Sequence, residues 1–478
     1  MKLPKEIKSI LNKLEKEGYQ AYAVGGCVRD LLIDREPKDW DITTNAQPEK
    51  IQEIFPDSFY ENKFGTVTVK TKSKEKTLSE IEITTYRTEQ NYTDKRHPDE
   101  IRFTSDCQED LARRDFTINA IALDKEGNLI DPFEGQKDLE NKIIKAVGNA
   151  NERFSEDALR ILRAIRFSVE LGFKIEDKTF KAIKENSDLL SMIAKERIRD
   201  EFKKMIMSQN PDQAIELLKE SNLLRHIIPE LEKGIGVSQN RHHIYTIYQH
   251  SILSLKFAAQ KKFSLVVRLA ALFHDIAKPQ TKRGQGEEST FYNHDIVGAK
   301  FAFNILTRLK FPKKTIQEVV NLIRNHMFVY NVDEVSEAGV RRLLRRVGPE
   351  NIKELLNLRV SDRLGSGVPK AIPYKLRHLE YLIEKVSKDP ISAKMLKING
   401  NDLIKELKVK PGPKLGLIIE ALLAEALEDP GINNKKKLLK RAEILSKMSD
   451  KELKGKNKII QEKKEEIDSE MKGKYWVK

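Results

Sequence analysis

The hydrophobic period of this chain changes near residue 150, and that change limits the folds open to it. Before it, Ala21-Tyr-Ala-Val, Trp40-Asp-Ile-Thr, Thr66-Val-Thr-Val and Glu80-Ile-Glu-Ile-Thr-Thr read as strands, β-branched and alternating. Helical patterns lie before and between them, at Glu6–Glu17 and Glu49–Phe55. From about 150 onward the β runs stop and a helical period takes over, with Leu159, Leu162, Ile165 and Val169 on one stripe. An α/β head followed by an all-α remainder is the expectation. The length of 478 residues, against ~100–200 for one domain, implies several folding units. Polar joints at Asn210-Pro, Gly284–Glu288 and Gly365–Pro369 separate helical units, and beyond Asn433 the chain turns Lys- and Glu-rich.

Charge narrows the partners. Lys and Arg number 87 against 73 Asp and Glu, a formal +14, which points to a polyanion: nucleic acid first, an anionic membrane second. No stretch approaches ~18 uninterrupted apolar residues, since Leu415–Leu427 is broken by Glu420 and Glu425. Met1-Lys-Leu-Pro-Lys-Glu lacks a signal core, so a cytoplasmic protein with no membrane partner is expected. Cys27 and Cys107 are too few for a disulfide framework or a four-cysteine zinc site.

Asp39-Trp40-Asp41 stands where a short strand begins. Residues i and i+2 of a strand share a face, so both carboxylates meet on one side of the sheet, a pair of hard oxygen ligands suited to Mg²⁺. Alone, such a pair is an ordinary surface feature. Upstream, Gly25-Gly26-Cys27-Val28-Arg29-Asp30 follows a strand and opens a helix, offering bare N–H groups and an arginine to a triphosphate. Glu82 alternates with Glu80 on a further strand, and only one of them can face the aspartates.

These residues, with Glu82-Ile-Thr-Thr-Tyr-Arg87, Arg96-His97-Pro98, Arg113-Arg114-Asp115-Phe116-Thr117-Ile118-Asn119-Ala120, Asp131-Pro132-x-x-Gly135, Ser155-Glu156-Asp157-Ala158-Leu159-Arg160 and Glu196-Arg197-Ile198, resemble the class II nucleotidyltransferases of the polymerase-β superfamily. Those are the CCA-adding tRNA nucleotidyltransferases and the related poly(A) polymerases. The resemblance runs in order from about residue 20 to 235. It implies that Asp39 and Asp41 hold two metal ions and that Glu82 helps to activate the attacking RNA hydroxyl. It also implies that Gly25, Gly26, Arg29 and Arg114 contact the nucleotide and Asp115 its ribose. The segment from Arg87 to Phe103, which enzymes adding only CC lack, is retained and speaks against CC-only addition.

Asp157 and Arg160 are three apart on a predicted helix and therefore project together, with Arg163 and Arg166 extending the stripe. Cytosine and adenine each present an amino donor beside a ring-nitrogen acceptor, which an Asp accepting and an Arg donating would satisfy. Guanine and uracil present the reverse order and would leave both charged groups unmatched, a cost of several kcal/mol (about two charge-assisted bonds).

A second constellation follows. His250, His274-Asp275, His294, His326 and Asp362 lie near or within predicted helices, and imidazoles and carboxylates on facing helices are a common way to hold divalent metal. The set resembles the HD superfamily of metal-dependent phosphohydrolases, from about 245 to 365. Farther on, Gly400-Asn401-Asp402-Leu403 and Lys410-Pro411-Gly412-Pro413-Lys414-x-Gly416 are similar to the tRNA-gripping tail of longer CCA-adding enzymes, where Lys435, Lys436, Lys437, Lys440 and Arg441 could add phosphate contacts.

The expected fold class is thus a polymerase-β-like α/β head at 1–145, an all-α neck at 146–235, an HD-type helical body at 236–390 and a helical tail at 391–478. The expected activity is addition of CCA to tRNA from CTP and ATP, with Mg²⁺ as cofactor and a second divalent metal in the body. An A-adding enzyme or poly(A) polymerase, or an HD phosphohydrolase with an RNA-binding head, stays open at this point.

Overall fold

The computed structural model describes residues 2–60, 65–90, 100–240, 244–328, 331–332, 334–367, 372–388, 396–409, 411–455, 469 and 473–476. Arg96, His97 and Pro98, the middle of the Arg87–Phe103 segment, lie outside the described residues, as do Pro369 and Lys410. The chain forms two compact units: Met1–His326 with Glu354–Val368, and Met327–Lys353 with Pro369–Lys478.

The head is a mixed sheet. Its strands are β1 (Ala21–Val24), β2 (Asp41–Thr44), β3 (Ser58–Tyr60), β4 (Thr66–Lys70) and β5 (Glu80–Thr85), then β6 (Arg87–Gln90), β7 (Glu100–Phe103), β8 (Ala122–Leu123) and β9 (Leu129–Ile130). Seven of them form one sheet in the order β3-β4-β5-β2-β1-β8-β9, while β6 and β7 pair as a separate ribbon. Only the β2–β5 pair is parallel within the large sheet, and its register sets Asp41 opposite Glu82. β1 runs antiparallel to β2 with Val24 opposite Asp41, so Gly25 and Gly26 leave the sheet beside that aspartate. Helices Lys5–Lys16 and Pro48–Ile54 cover the sheet with Ile7, Leu11, Leu14 and Ile51, all fully buried.

The expected strands form, each within one residue of its predicted start. The β6–β7 ribbon and the short β3, β8 and β9 went unread, being too short or too polar to show a period. Beyond residue 150, small β elements interrupt the helices among the described residues: Lys174–Ile175 pairs with Ile143–Ile144, and Arg283 bridges Thr290.

Helix Leu159–Leu171 is buried on more than the one stripe read from its leucines: Ile161, Ala164 and Phe167 are buried too, and so are Arg160 and Arg166. It packs against helices Lys195–Met207 and Pro211–Glu220. Asp157 does not share a helix with Arg160, contrary to the sequence reading. Helix Ala150–Glu156 ends there, Asp157 takes extended backbone angles, and its carboxylate accepts the N–H of Leu159 at 3.0 Å, starting a new helix. An aspartate that bonds the backbone two residues on favours a turn over helix continuation.

The rest of the first unit is a helical bundle of Ile247–Gln260, Leu265–Phe273, His294–Arg308 and Lys313–Asn325, joined by the main part of Ile352–Gly365. Thr246 and Gln249 form a capping box that fixes the start of the first of these helices at Ile247, three residues before His250. In the second unit, Glu337–Val347 packs on Tyr374–Lys388. Helices Gly400–Leu407, Pro413–Glu428 and Lys435–Ser446 enclose their own core around Leu403, Leu422, Leu438 and Leu445.

One buried carboxylate joins head elements distant in sequence. Asp110, fully buried, accepts from Thr43 Oγ1 at 2.9 Å and from Arg113 Nε at 2.9 Å. Burial opposes its charge, but Arg113 and Arg114 outweigh that and hold its pKa below the usual value. Its contribution is therefore present above the unfolded carboxylate range, and is lost as pH falls through the lower folded value. Asp110→Ala leaves Arg113 without this partner and should destabilise the protein by about 3–5 kcal/mol in urea titration. The difference from wild type should shrink in acid below that range; an effect that persists unchanged there would contradict the assignment.

Candidate active site

Asp39 and Asp41 line one cavity of about 670 Å³ together with Gly25, Gly26, Arg29, Arg114, Asp115, Arg163 and Arg166. Trp40 between them is buried while Asp39 is exposed, the alternation expected at a strand edge. Glu80 and Glu82, two apart on β5, share one exposed face, contrary to the sequence reading that only one could face the aspartates; the strand register alone puts Glu82, not Glu80, beside Asp41. Burial pushes the Asp41 carboxyl up to about 6; Arg114 opposes this, and the charges of Asp39 and Glu82 add to it. A half-buried carboxylate crowded by like charges is suited to a divalent cation, and the donor set is all hard oxygen. The residues present fit Mg²⁺.

Gly25 has φ +83°, and a Cβ there would stand 2.7 Å from Arg114 Nη1, so this glycine lets the guanidinium approach the Asp41 rim. Arg29 donates from Nη1 to Asn119 Oδ1 at 2.9 Å and from Nε and Nη2 to Asp30. Asp115, buried, accepts from Phe116 N–H at 2.9 Å, Asn119 Nδ2 at 3.1 Å and Arg163 Nε at 2.7 Å. Burial works against its charge, but Arg163 and these bonds bring its pKa down to about 2. Arg166 Nε lies 2.8 Å from Glu201, and burial pulls its pKa below the ordinary arginine value despite that partner. Arg29, Arg163 and Arg166 all stand over the ring of Phe167, at 5.1, 5.2 and 4.1 Å from its centroid.

A second cavity of about 240 Å³ shares Arg114, Asp115 and Arg163 with the first and is also lined by Asp157, Arg160 and Arg197. The structure thus brings Asp157 and Arg160 to one cavity, although they do not pair. Asp157 is gripped by Arg197 through two bonds of 2.9 and 3.2 Å. Arg160 turns back to Glu156 at 2.7 Å and to the carbonyls of Arg153 and Arg113. Arg197, Asn119 and Glu201 were not assigned from sequence. The first two sat inside quoted motifs without a role; Glu201 carried no signal beyond a charge on a helix whose burial the sequence did not reveal.

The six residues of the helical body also come together. His250 Nε2 and His274 Nε2 are 3.0 Å apart, and each lies near Asp275 Oδ2, at 3.3 and 3.4 Å, and near Asp362 Oδ1, at 3.3 and 3.7 Å. His294 and His326 approach the other oxygen, Asp275 Oδ1, at 3.5 and 3.9 Å. The Nδ1 atoms of His274, His294 and His326 lie 2.9, 2.6 and 2.6 Å from the carbonyls of Ala271, Phe291 and Ile323. A carbonyl only accepts, so Nδ1 carries the proton and Nε2 is left to face the centre. Two sets of ligand atoms, His250/His274/Asp275 and Asp275/His294/His326, each close to within 4.8 Å. Burial opposes charge on His274, but Asp275 and Asp362 outweigh it and lift its pKa to about 10; burial and the His274 charge depress His326 to about 3. Imidazoles and carboxylates brought together in one buried centre suit a divalent cation. No described helix is long and apolar enough to cross a membrane.

Residues 21–145 match the family described as "Poly A polymerase head domain", and residues 293–442 match "tRNA nucleotidyltransferase domain 2". A protein of Lactobacillus delbrueckii subsp. bulgaricus named "CCA-adding enzyme" is 36% identical over 424 residues, covering 88% of this chain and 91% of the relative. One of Limosilactobacillus reuteri with the same name is 33% identical, over 92% of this chain and 96% of the relative. The solved Bacillus stearothermophilus CCA-adding enzyme in complex with CTP superposes with a TM-score of 0.61 at 28% identity, covering 92% of this chain and 97% of that one. A polymerase-β-like head on a mostly helical body, carrying the paired aspartates in this cavity, therefore has relatives along most of its length, and the chain belongs to the family of CCA-adding enzymes.

Proposed function

We propose that this chain adds CCA to tRNA 3′ ends without a template, using CTP and ATP, and that it does so in the cytoplasm. The observation that carries the reading is the shared wall of the two cavities: Arg114, Asp115 and Arg163 separate the Asp39/Asp41 rim from the Asp157/Arg160 chamber. That arrangement suits a nucleotide with its phosphates on one side and its base on the other. The RNA 3′-hydroxyl attacks the α-phosphorus, a new ester bond forms, and pyrophosphate leaves. Asp39 and Asp41 would hold Mg²⁺, which supplies charge neutralisation for the attacking and leaving oxygens. Gly25, Gly26, Arg29 and Arg114 bind the phosphates, Asp115 orients the ribose, and Glu82 helps to place the attacking hydroxyl. Asp157 accepts from the base amine, with Arg197 setting its orientation, and Arg160 donates to the ring nitrogen. Arg163 and Arg166 close the floor over Phe167. The functional division is a head at 1–145, a neck at 146–235, a body at 236–390 and a tail at 391–478. An A-adding enzyme would share all of this site.

A second activity is favoured by the convergence of four histidines on Asp275. The body would bind divalent metal through His250, His274, Asp275, His294, His326 and Asp362 and hydrolyse phosphate esters at RNA ends.

Asp41→Asn should lower CMP and AMP transfer alike by about 100-fold or more while tRNA affinity holds, since every turnover uses the same rim. Near-wild-type transfer in a gel assay would remove Asp41 from the mechanism. Asp157→Asn should lower kcat/KM for CTP and ATP together by about 10–100-fold and weaken rejection of UTP. A loss confined to ATP would rule out one reader for both bases. For the body, purified protein given Mn²⁺, Co²⁺ or Ni²⁺ should retain the ion through gel filtration and release phosphate from 3′-phosphorylated RNA. His274→Ala should lose both properties and keep CMP transfer; no retention of any of the three ions would leave the cluster a structural support.

A further inference from the structure

Helices Lys435–Ser446 and Glu337–Val347 of the second unit are both basic, and their arginines differ in their partners. On helix Lys435–Ser446, Lys435 pairs with Asp402 at 2.9 Å, Lys437 donates to the Gly431 carbonyl, and Arg441 is bidentate to Glu425. Helix Glu337–Val347 carries Arg341, Arg342, Arg345 and Arg346, all exposed. Arg341 meets Glu337 at 3.2 Å. Among the described residues, Arg342, Arg345 and Arg346 have no carboxylate partner. The opposite face of this helix is packed through Val340, Leu343, Leu344 and Val347, so these arginines are not needed to hold it in place. The position of Arg345 and Arg346 in the last turn suits the helix dipole, but Arg342 lies outside that turn.

Beside the same helix lies a cavity of about 290 Å³. Met327, Phe328, Val335, Leu343 and Leu379 give it apolar walls, Arg342 and Arg346, one turn apart, line it as well, and its carboxylate, Glu334, accepts from Asn331 Nδ2 at 3.1 Å. Its volume is at the small end of ligand pockets, about 300–1,000 Å³. A mostly apolar cavity lined also by two guanidinium groups suits an unstacked base with its phosphates, the form in which RNA is mostly read.

We propose that this cavity and its arginine edge form a second RNA contact: a seat for one unstacked nucleotide of the tRNA, with Arg342 and Arg346 on the flanking phosphates. The proposal rests on the reading that the chain acts on tRNA. It places an RNA grip on Glu337–Val347, where Arg342 and Arg346 have no carboxylate partner among the described residues, in addition to the basic run at 435–441.

The test uses the full chain. Arg342→Gln/Arg346→Gln changes only exposed side chains, and a thermal melt by circular dichroism checks that it folds. Its tRNA affinity, measured against salt, should show a log–log slope smaller by roughly 1.4–1.8, at 0.7–0.9 for each phosphate that the protein no longer neutralises. In a separate Met327→Trp protein, indole fluorescence should be quenched as tRNA binds, because a seated base stacks against the new ring. An unchanged slope overturns the proposal. A reduced slope without quenching leaves a diffuse electrostatic surface and overturns the seat. Polyglutamate that displaces tRNA as well as a competing RNA of equal charge would assign the surface to acidic protein and overturn it too. CMP transfer by the wild-type protein, assayed in parallel, tests the activity separately: tRNA binding with quenching but no transfer would sink the activity and keep the seat.

Discussion

Taking charge out of water costs several kcal/mol per ion unless each charge is paired and its remaining bonding capacity is used, and the seam between head and neck is organised around that constraint. Asp115, Arg163, Arg166 and Arg29 are at least partly buried there, and every one has a partner across a short distance. Asp115 is the hub, since it joins Arg163 of the neck to Asn119 of the head, and Asn119 in turn holds Arg29. The bonds that neutralise the seam also fix the wall dividing the two cavities. On the proposed reading, a nucleotide entering the site would meet groups already oriented, so less ordering would remain to oppose binding.

The same constraint explains the body. Asp275 and Asp362 are deep in a helical bundle, and the surrounding positive groups are Lys278, Arg359 and protonated imidazole. Three of the four histidines are held from behind by backbone carbonyls, an orientation that faces their other nitrogens inward toward Asp275. The Nε2 atoms of His250 and His274, 3.0 Å apart, can meet only by sharing a proton when there is no cation. With one, the lone pairs and carboxylates would have a common target. The capping box at Thr246 and Gln249 contributes by fixing where the first helix starts, and with it the position of His250.

Much of the site was legible because its residues lie close together in sequence on elements with a clear period. A strand of period two put Asp39 and Asp41 on one side, and a glycine pair after β1 marked the strand-to-helix turn. Reading failed where burial, not local pattern, set the role. The spacing of Arg160 and Arg166 did not show that their helix is packed on most sides, nor that the guanidinium groups turn inward to Glu156 and Glu201. Asp157 looked helical by spacing, but its own carboxylate ends one helix and starts the next.

By itself, then, the sequence determined the order of an α/β head and a helical remainder, the paired aspartates and the membership of the histidine set. Those depend on side-chain period and residue type, which act over a few neighbours. Only the tertiary structure decided that Glu82 and not Glu80 stands beside Asp41, because that follows from the parallel register of two strands some forty residues apart. It likewise decided that Arg197 is the partner of Asp157, and that Arg342 and Arg346 line a mostly apolar cavity with no carboxylate partner among the described residues, while Lys435 and Arg441 each have one. Pairing of a charge depends on which distant carboxylate the fold carries to it, and no local pattern encodes that distance.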